Sequence, residues 1–275
     1  MEQKVDYIFC INTGRSGSDY LARLFSHVLG CCAFHEPMPI CNGQAMKQYL
    51  SGDPKLINTL VQQKIEMIQE SMRDCKLYVE SNHCFIKGFG WFIPQCLPED
   101  RIGVVILTRD KTKIADSYFK LGDTPLQPTA LNWLISPGVN HPFTRPPRRF
   151  FLSSKMTHIL FRILKIPFRG GQYYKKIFLT KPQTPQWIVN YELECLKWYV
   201  DETAARTRAF QKKFPKIKYY EVDIENLNDI EEVTKMLNYF GCSPKSSLMS
   251  VVGKPTNQRE KEKLLSNTRE IMTSG

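Results

Sequence analysis

A short turn near the start of the chain combines residue types that suit the binding of an anion. An apolar run ends at Ile11, and apolar residues at helical spacing from Tyr20 onward predict a helix. Between them, glycines let the backbone curl, and the free N–H groups and dipole of the helix start favour negative charge. Hydroxyl and guanidinium groups add donors for phosphate-type oxygens. The predicted ligand-binding residues of this turn are Gly14, Arg15, Ser16, Gly17, Ser18 and Asp19.

The turn differs from the phosphate loop of nucleoside triphosphatases. That loop needs Gly-x-x-x-x-Gly-Lys-Ser/Thr, in which the lysine contacts phosphates and the hydroxyl contacts magnesium. Here Ser18 follows Gly17 in the place of the lysine, and the apolar run 102–108 leads into Arg109 rather than an aspartate. Asp110 keeps a kinase-like phosphotransferase open as an alternative, and an ordinary strand–helix turn is another.

A second candidate anchor follows the apolar run 102–108. Arg109 comes directly after this run, and Ser117 lies eight residues further along the chain. A helix that begins near Lys111 would place Ser117 almost two turns in and Arg109 at its mouth. In that arrangement, both side chains converge on one phosphate beside the first turn.

With these two motifs, the sequence resembles the sulfotransferases that use 3′-phosphoadenosine 5′-phosphosulfate (PAPS), in particular the branch with an Arg-Ser-Gly-Ser/Thr loop that includes bacterial carbohydrate sulfotransferases. Residues 13–18 are similar to the family's 5′-phosphosulfate loop, residues 107–118 to its 3′-phosphate motif, and residues 220–227 to its late strand and turn. The resemblance implies a sulfotransferase that takes PAPS as co-substrate, releases 3′,5′-adenosine bisphosphate and requires no metal.

The resemblance also implies a cofactor contact from the end of the chain. Residues 253–259 are similar to the family's basic cofactor-closing loop, so Lys254 and Arg259 are candidate ligands of PAPS. The alternative is that residues 253–275 form a solvated basic tail.

Sulfuryl transfer requires a cation at the leaving group and a base for the acceptor. Positioning and charge stabilisation contribute most in such a displacement, and Arg15 is the candidate cation at the bridging oxygen. A positioned base contributes about 10²–10⁴-fold. Glu36 lies at the carboxyl edge of the predicted sheet, where α/β folds bind ligands, and the bacterial carbohydrate branch has its proposed base in a Glu-Pro there. His83 is the rival base, because imidazole titrates near neutral pH and cytosolic members have a catalytic histidine nearby.

The elements that must position these residues alternate between strands and helices. Apolar runs predict strands over residues 5–11, 31–34, 77–80, 102–108 and 218–222. Helical periodicity predicts helices from the first turn to Gly30 and over residues 54–72, 185–213 and 229–240. The β-branched run 102–108 is typical of a central parallel strand covered on both faces. This alternation predicts an α/β fold, a P-loop-like three-layer sandwich with a central parallel sheet.

The length and the 42% hydrophobic content fit one domain over residues 1–275. Residues 122–185 are rich in proline and basic clusters and are predicted to form an irregular insertion over the active face, where the acceptor is chosen. No stretch approaches the roughly 20 apolar residues of a membrane span, and the start of the chain does not read as a signal peptide. The predicted location is the cytoplasm.

The formal net charge of +11 predicts an anionic partner. A nucleotide, a membrane surface or nucleic acid would each fit this charge, and the resemblance selects the nucleotide. The predicted acceptor is a small molecule or glycan with a hydroxyl or amine, and no nucleic acid partner is expected. None of the nine cysteines has zinc-ligand spacing, so no metal site is predicted. A non-catalytic polyanion-binding protein is the remaining alternative, and the oligomeric state stays open.

Overall fold

The computed structural model of this protein describes residues 5–125, 129–147 and 186–254. Within these ranges, one or more helices lie between each pair of successive strands. The strands are β1 (Tyr7–Ile11), β2 (Cys31–His35), β3 (Leu77–Ser81), β4 (Ile102–Thr108) and β5 (Lys218–Asp223). The helices are α1 (Ser18–Ser26), α2 (Gly43–Leu50), α3 (Lys55–Ser71), α4 (Ile93–Cys96), α5 (Lys111–Leu121), α6 (Gln186–Lys213) and α7 (Ile230–Tyr239).

The five strands form one parallel sheet in the order β2-β3-β1-β4-β5. Successive side chains of a strand point to opposite faces, so Ile8 and Cys10 of β1 enter one core while Phe9 and Ile11 enter another. The predicted α/β class with a central parallel sheet is confirmed. The middle position belongs to β1, whereas the apolar β4 lies beside it and is also interior.

Helices cover both faces of the sheet. On one face, α1 and α7 contribute Leu21, Phe25 and Leu237 to the first core. On the other face, α3 packs together with the end of α6, where Phe210 joins the second core. A third apolar cluster forms where α5 packs against α6 and includes Leu134. Because the strands are parallel, the carboxyl ends of β1, β2, β3 and β4 lie at one edge of the sheet, where the candidate site is located.

The end of α1 departs from the sequence-based expectation. The helix ends at Ser26 with His27 as its C-cap, four residues before Gly30. The apolar periodicity extended further because Val28 is buried, but Val28 reaches the core from a turn that pairs with Pro244. Gly30 serves instead as the left-handed residue that leads into β2, with φ 64°.

The described part of the predicted insertion has little regular structure. Within residues 129–147, one short 3-10 turn spans Ala130–Asn132. Glu202 of α6 fixes this segment, because its carboxylate accepts hydrogen bonds from the backbone N–H groups of Phe143 and Thr144 at 2.9–3.1 Å. The rest of the insertion, residues 126–128 and 148–185, lies outside the described residues, as does most of the basic tail. Among the helices of the described ranges, none is long and apolar enough to cross a membrane.

Candidate active site

The turn after β1 has an unusual backbone. Gly14, Arg15 and Gly17 all have positive φ angles, of 77°, 56° and 84°. The side-chain oxygen of Asn12 accepts the Gly14 N–H at 2.8 Å, which closes the first bend of the turn. A Cβ atom on Gly14 would lie 2.1 Å from the hydroxyl of Tyr118, so only glycine fits there. The turn then delivers the chain directly into α1, with the N-terminus of that helix at the cleft.

Two tyrosine hydroxyls hold the turn from behind. Tyr118 of α5 and Tyr199 of α6 both donate to the carbonyl oxygen of Thr13, at 2.7 and 2.6 Å. Burial raises the pKa of both hydroxyls above its ordinary value, so they remain protonated donors at neutral pH. The position of the turn is therefore set by two helices that are remote from it in the chain.

The structure brings the second predicted anchor to the first. Arg15 donates from Nε to the hydroxyl of Ser117 at 3.1 Å, and Arg109 donates from Nη1 to the carbonyl oxygen of Arg15 at 2.6 Å. Arg109 thus supports the left-handed residue of the turn, while Ser117 orients its guanidinium. Their contact with a phosphate stays a prediction.

The two candidate bases form a pair. Glu36 follows β2 with φ 50°, and its N–H donates to the carbonyl oxygen of Ser81 at 3.0 Å. Its Oε1 accepts a short hydrogen bond from Nδ1 of His83, which follows β3. The other ring nitrogen of His83 faces the Cys84 sulfur at 3.6 Å, and the ring lies 5.7 Å from that of Trp133.

Each member of this pair shifts the titration of the other. Burial raises the pKa of Glu36, but the hydrogen bond and charge of His83 outweigh burial and hold this pKa below its usual 4.5. Burial lowers the pKa of His83, but the adjacent Cys84 thiol group and Glu36 outweigh it and raise this pKa above the usual 6.5. Between these two values, the pair is a carboxylate and an imidazolium.

A cleft of about 650 Å³ joins the turn to this pair. The predicted site residues that line it are Gly14, Arg15, Gly17, Ser18, Asp19, Glu36, His83, Arg109 and Lys254. Ser16 does not line the cleft, because it is fully buried and its hydroxyl donates to Asn12 at 3.5 Å. Ser117 reaches the cleft only through Arg15, and Arg259 lies outside the described residues. No group of three or more potential metal ligands occurs within the described ranges.

Apolar side chains also line the cleft. They are Tyr118, Leu121, Trp133 and Leu134, and the half-buried Asp123 is among the lining residues as well. Burial raises the pKa of Asp123, and the nearby Arg15 guanidinium opposes this shift. The cleft therefore offers aromatic and aliphatic surface in addition to its charged groups.

Several residues of the site escape sequence reasoning. Asn12 has a signal, since an asparagine before a glycine often accepts a hydrogen bond from the backbone two residues on. Tyr199 has none, because it reaches the turn from α6, which is distant in the chain. Lys87 is only four residues from His83, but its contact with Trp133 joins segments that are 46 residues apart. Lys87 is fully buried behind His83 and donates to the carbonyl oxygen of Trp133 at 2.5 Å.

No family model and no curated protein matches the sequence. Several solved structures are similar to the chain, and two of them are sulfotransferases. The sulfotransferase domain from the curacin biosynthetic pathway is 10% identical over 91% of this chain and 78% of that domain, with a TM-score of 0.49. A sulfotransferase from Alicyclobacillus acidocaldarius is 10% identical over 86% of this chain and 81% of its own, with a TM-score of 0.43. Neither similarity assigns an activity to this chain.

Proposed function

We propose that this protein is a sulfotransferase that moves a sulfuryl group from PAPS to a hydroxyl or amine of a small-molecule or carbohydrate acceptor. The observation that carries the proposal is one cleft that is lined both by the glycine turn with Arg15 and by the Glu36–His83 pair. A transfer between a bound anionic donor and a protic acceptor needs both halves. The resemblance of the two anchor motifs to PAPS-binding motifs selects the donor.

The glycine turn and the cations near it suit the binding of the charged phosphosulfate and phosphate groups of PAPS. Gly14 and Gly17 allow the left-handed bends of the turn, and α1 begins there, where a helix N-terminus attracts anions. Positive charge comes from Arg15, Arg109 and Lys254, all of which line the cleft. These groups would bind the phosphosulfate and the 3′-phosphate of PAPS, with Arg15 at the bridging oxygen.

The geometry favours Glu36 over His83 as the base. Both ring nitrogens of His83 are engaged, one by Glu36 and the other by the Cys84 sulfur. Glu36 uses Oε1 for His83 and lines the cleft, so we assign its second carboxylate oxygen to the acceptor. His83 then orients the carboxylate, and Glu36 takes the proton of the acceptor.

The proposed reaction is a displacement at the sulfur atom of PAPS. The acceptor oxygen or nitrogen forms a bond to sulfur while the bond from sulfur to the bridging phosphate oxygen breaks. The acceptor proton passes to Glu36, and 3′,5′-adenosine bisphosphate leaves with the bridging electron pair, which Arg15 stabilises by charge. No oxidant or reductant takes part.

Binding of the product nucleotide tests the donor half of the proposal. We expect 3′,5′-adenosine bisphosphate to raise the melting temperature without magnesium, and Arg109→Ala to weaken this effect. The matched control is Lys111→Ala, which removes a positive charge two residues away that pairs with Asp201 outside the cleft. Stabilisation by ATP with magnesium instead would favour a kinase-like phosphotransferase.

Turnover tests the catalytic half. Incubation with sulfur-labelled PAPS and a metabolite extract should transfer label to the acceptor, and Glu36→Gln should slow this transfer by about 10²–10⁴-fold while nucleotide binding is kept. Equal loss of binding and turnover would refute the assigned role. Nucleotide binding that falls steeply with salt and no transfer by any variant would indicate a non-catalytic polyanion-binding protein.

A further inference from the structure

A buried ion pair lies beneath the end of β3. The ammonium of Lys64, on α3, is 3.1 Å from the carboxylate of Glu80, on β3, and both side chains are at most 1% exposed. Neither residue lines the cleft. A buried ion pair loses its hydration, and well-packed apolar residues of similar volume often stabilise a fold as well or better. Its stabilising effect alone therefore does not account for this pair.

Lys64 also reaches the backbone next to Glu36. Its ammonium donates to both carboxylate oxygens of Glu80, at 3.2 and 3.1 Å, and to the carbonyl oxygen of Pro37 at 2.8 Å. Pro37 follows Glu36, whose left-handed backbone persists only where its surroundings hold it. Ser81 fixes Glu36 through its N–H, and Lys64 fixes the chain on the other side.

The same carboxylate holds the turn that carries His83. Glu80 accepts hydrogen bonds from the hydroxyl of Tyr78 at 2.6 Å and from the side-chain amide of Asn82 at 2.9 Å. The oxygen of that amide accepts the N–H of Cys84 at 2.8 Å, which closes the turn around His83. One buried carboxylate thus connects to both candidate bases, to His83 through Asn82 and to Glu36 through Lys64.

We infer that Lys64 and Glu80 are positioning residues that hold the Glu36 carboxylate against Nδ1 of His83. The significance of this contact for catalysis rests on the proposed function, in which Glu36 is the base and His83 orients it. The inference about the contact itself does not depend on which reaction the cleft performs.

Two variants that differ only at residue 64 separate geometry from charge. Glu80→Gln removes the negative charge but keeps the side-chain shape, one acceptor oxygen and the hydrogen bond from Lys64 to Pro37. Lys64→Met/Glu80→Gln removes, in addition, the hydrogen bond to Pro37 while filling the space with an unbranched apolar chain. The control is Asp6→Asn/Arg101→Met, which removes the ion pair just before β1 and β4, whose atoms lie 2.7 Å apart and outside the cleft.

The readout is the titration of His83 by nuclear magnetic resonance, with its signals identified by their loss in His83→Gln. The titratable groups that face this ring are Cys84, Lys87 and Glu36, and His35 lies 3.8 Å from the same Glu36 oxygen. Of these, only Glu36 is expected to move when Lys64 is replaced. Binding of 3′,5′-adenosine bisphosphate is measured alongside.

We expect Glu80→Gln and the Asp6→Asn/Arg101→Met control to keep the His83 titration close to that of the wild type. Lys64→Met/Glu80→Gln should shift it to lower pH, because burial remains while the carboxylate partner is released, and nucleotide affinity should be unchanged. An unshifted titration, or an equal shift in the control, would overturn the inference. An unfolded double variant beside a folded Glu80→Gln would also overturn it, since the pair would then support the core rather than the site.

The two hypotheses fail in different ways. A wild-type protein that binds no 3′,5′-adenosine bisphosphate would refute the proposed function and leave the shifted His83 titration intact. A normal nucleotide affinity with an unshifted titration in the double variant would refute the positioning role alone.

Discussion

Two residues other than glycine have left-handed backbone conformations among the described residues, and both line the cleft. They are Arg15, with φ 56°, and Glu36, with φ 50°. Such conformations cost about 1–3 kcal/mol each and persist where the surroundings over-determine them. Arg109 holds the carbonyl of Arg15, and Lys64 holds that of Pro37. The directions of the guanidinium and the carboxylate are therefore set by the protein itself.

Replacement of Gly14 tests how tightly the turn is packed. Gly14→Ala should destabilise the protein more than Gly30→Ala, by about 1 kcal/mol or more. The new Cβ atom at residue 14 would displace the Tyr118 hydroxyl from the carbonyl oxygen of Thr13. Gly30 is the matched control, since its φ of 64° gives a similar backbone strain while its nearest neighbour, Lys76, is 3.6 Å away. The measurement is urea-induced unfolding, and equal losses in the two variants would contradict the packing described here.

The Glu36–His83 pair should make stability depend on pH. The raised pKa of His83 adds stability that is present below its unfolded value of 6.5 and lost as pH rises through the folded value. The lowered pKa of Glu36 adds stability that is present above its unfolded value of 4.5 and lost as pH falls. The melting temperature of Glu36→Gln should therefore differ most from wild type between pH 4.5 and 6.5. A difference that is constant with pH would contradict the pairing.

At the scale of the elements, the turn after β1 depends on α5 and α6 as much as on its own sequence. The carbonyl of Thr13 accepts both tyrosine hydroxyls and is buried with them. Either hydroxyl alone keeps this carbonyl paired. Loss of both leaves a buried acceptor without a described partner, which costs more than the sum of the two single losses.

A double-mutant cycle measures this effect. Tyr118→Phe and Tyr199→Phe should each cost about 0.5–1.5 kcal/mol in the free energy of unfolding. The double variant should lose about 1–3 kcal/mol beyond their sum, and its affinity for 3′,5′-adenosine bisphosphate should fall further than in either single variant. Tyr219→Phe is the control, because its hydroxyl donates to Phe214 away from the turn. Strict additivity would show that the turn does not depend on both helices.

Local patterns predicted most of the elements and the turn between β1 and α1. Apolar runs and periodicity located all five strands to within two residues, because burial on a parallel sheet leaves a direct trace in the sequence. The sequence indicated the ion pair beneath the site only in part. Lys64 falls on the same helical stripe as Ile57, Val61 and Ile68, which indicates burial, but its partner Glu80 becomes evident only when α3 packs on β3. Long-range pairings of this kind do not follow from spacing along the chain.

At the scale of the whole molecule, successive strands are added to the sheet first on one side of β1 and then on the other. Strands β3 and β2 lie on one side of β1, and β4 and β5 lie on the other. Ligand sites of open parallel sheets lie outside the carboxyl ends of the strands at such a switch point. The glycine turn occupies this point, so the topology and the motif indicate the same place.

Lys87 joins three parts of the molecule behind that point. It follows β3, donates to the carbonyl oxygen of Trp133 in the segment 129–147, and lies 4.9 Å from the ring centre of Tyr199 on α6. Burial lowers its pKa to about 8, against the opposing effects of Cys84 and Glu36. The folded protein therefore releases this proton before the unfolded chain does.

This difference predicts an alkaline rise in stability. Between about pH 8 and pH 10.5, the unfolded state binds the Lys87 proton and the folded state does not, so the free energy of unfolding should increase with pH. Lys87→Met should lack this contribution. In urea titrations, the free energy of unfolding of the wild type, relative to that of the variant, should therefore increase over that range. Lys47→Met, which removes an exposed lysine that donates to Asn132, is the control. Parallel curves for wild type and Lys87→Met would contradict the prediction.

The two tyrosines behind Thr13 have a practical consequence for protein engineering. A designer who grafts residues 12–18 onto another parallel sheet would transfer a loop whose shape depends on hydroxyls supplied from positions 118 and 199. The recipient scaffold would have to offer both hydroxyls at the same depth, together with an empty space where Gly14 meets Tyr118. A graft of the loop alone should therefore fail to keep the backbone conformation that the loop has here, whatever the quality of the host sheet.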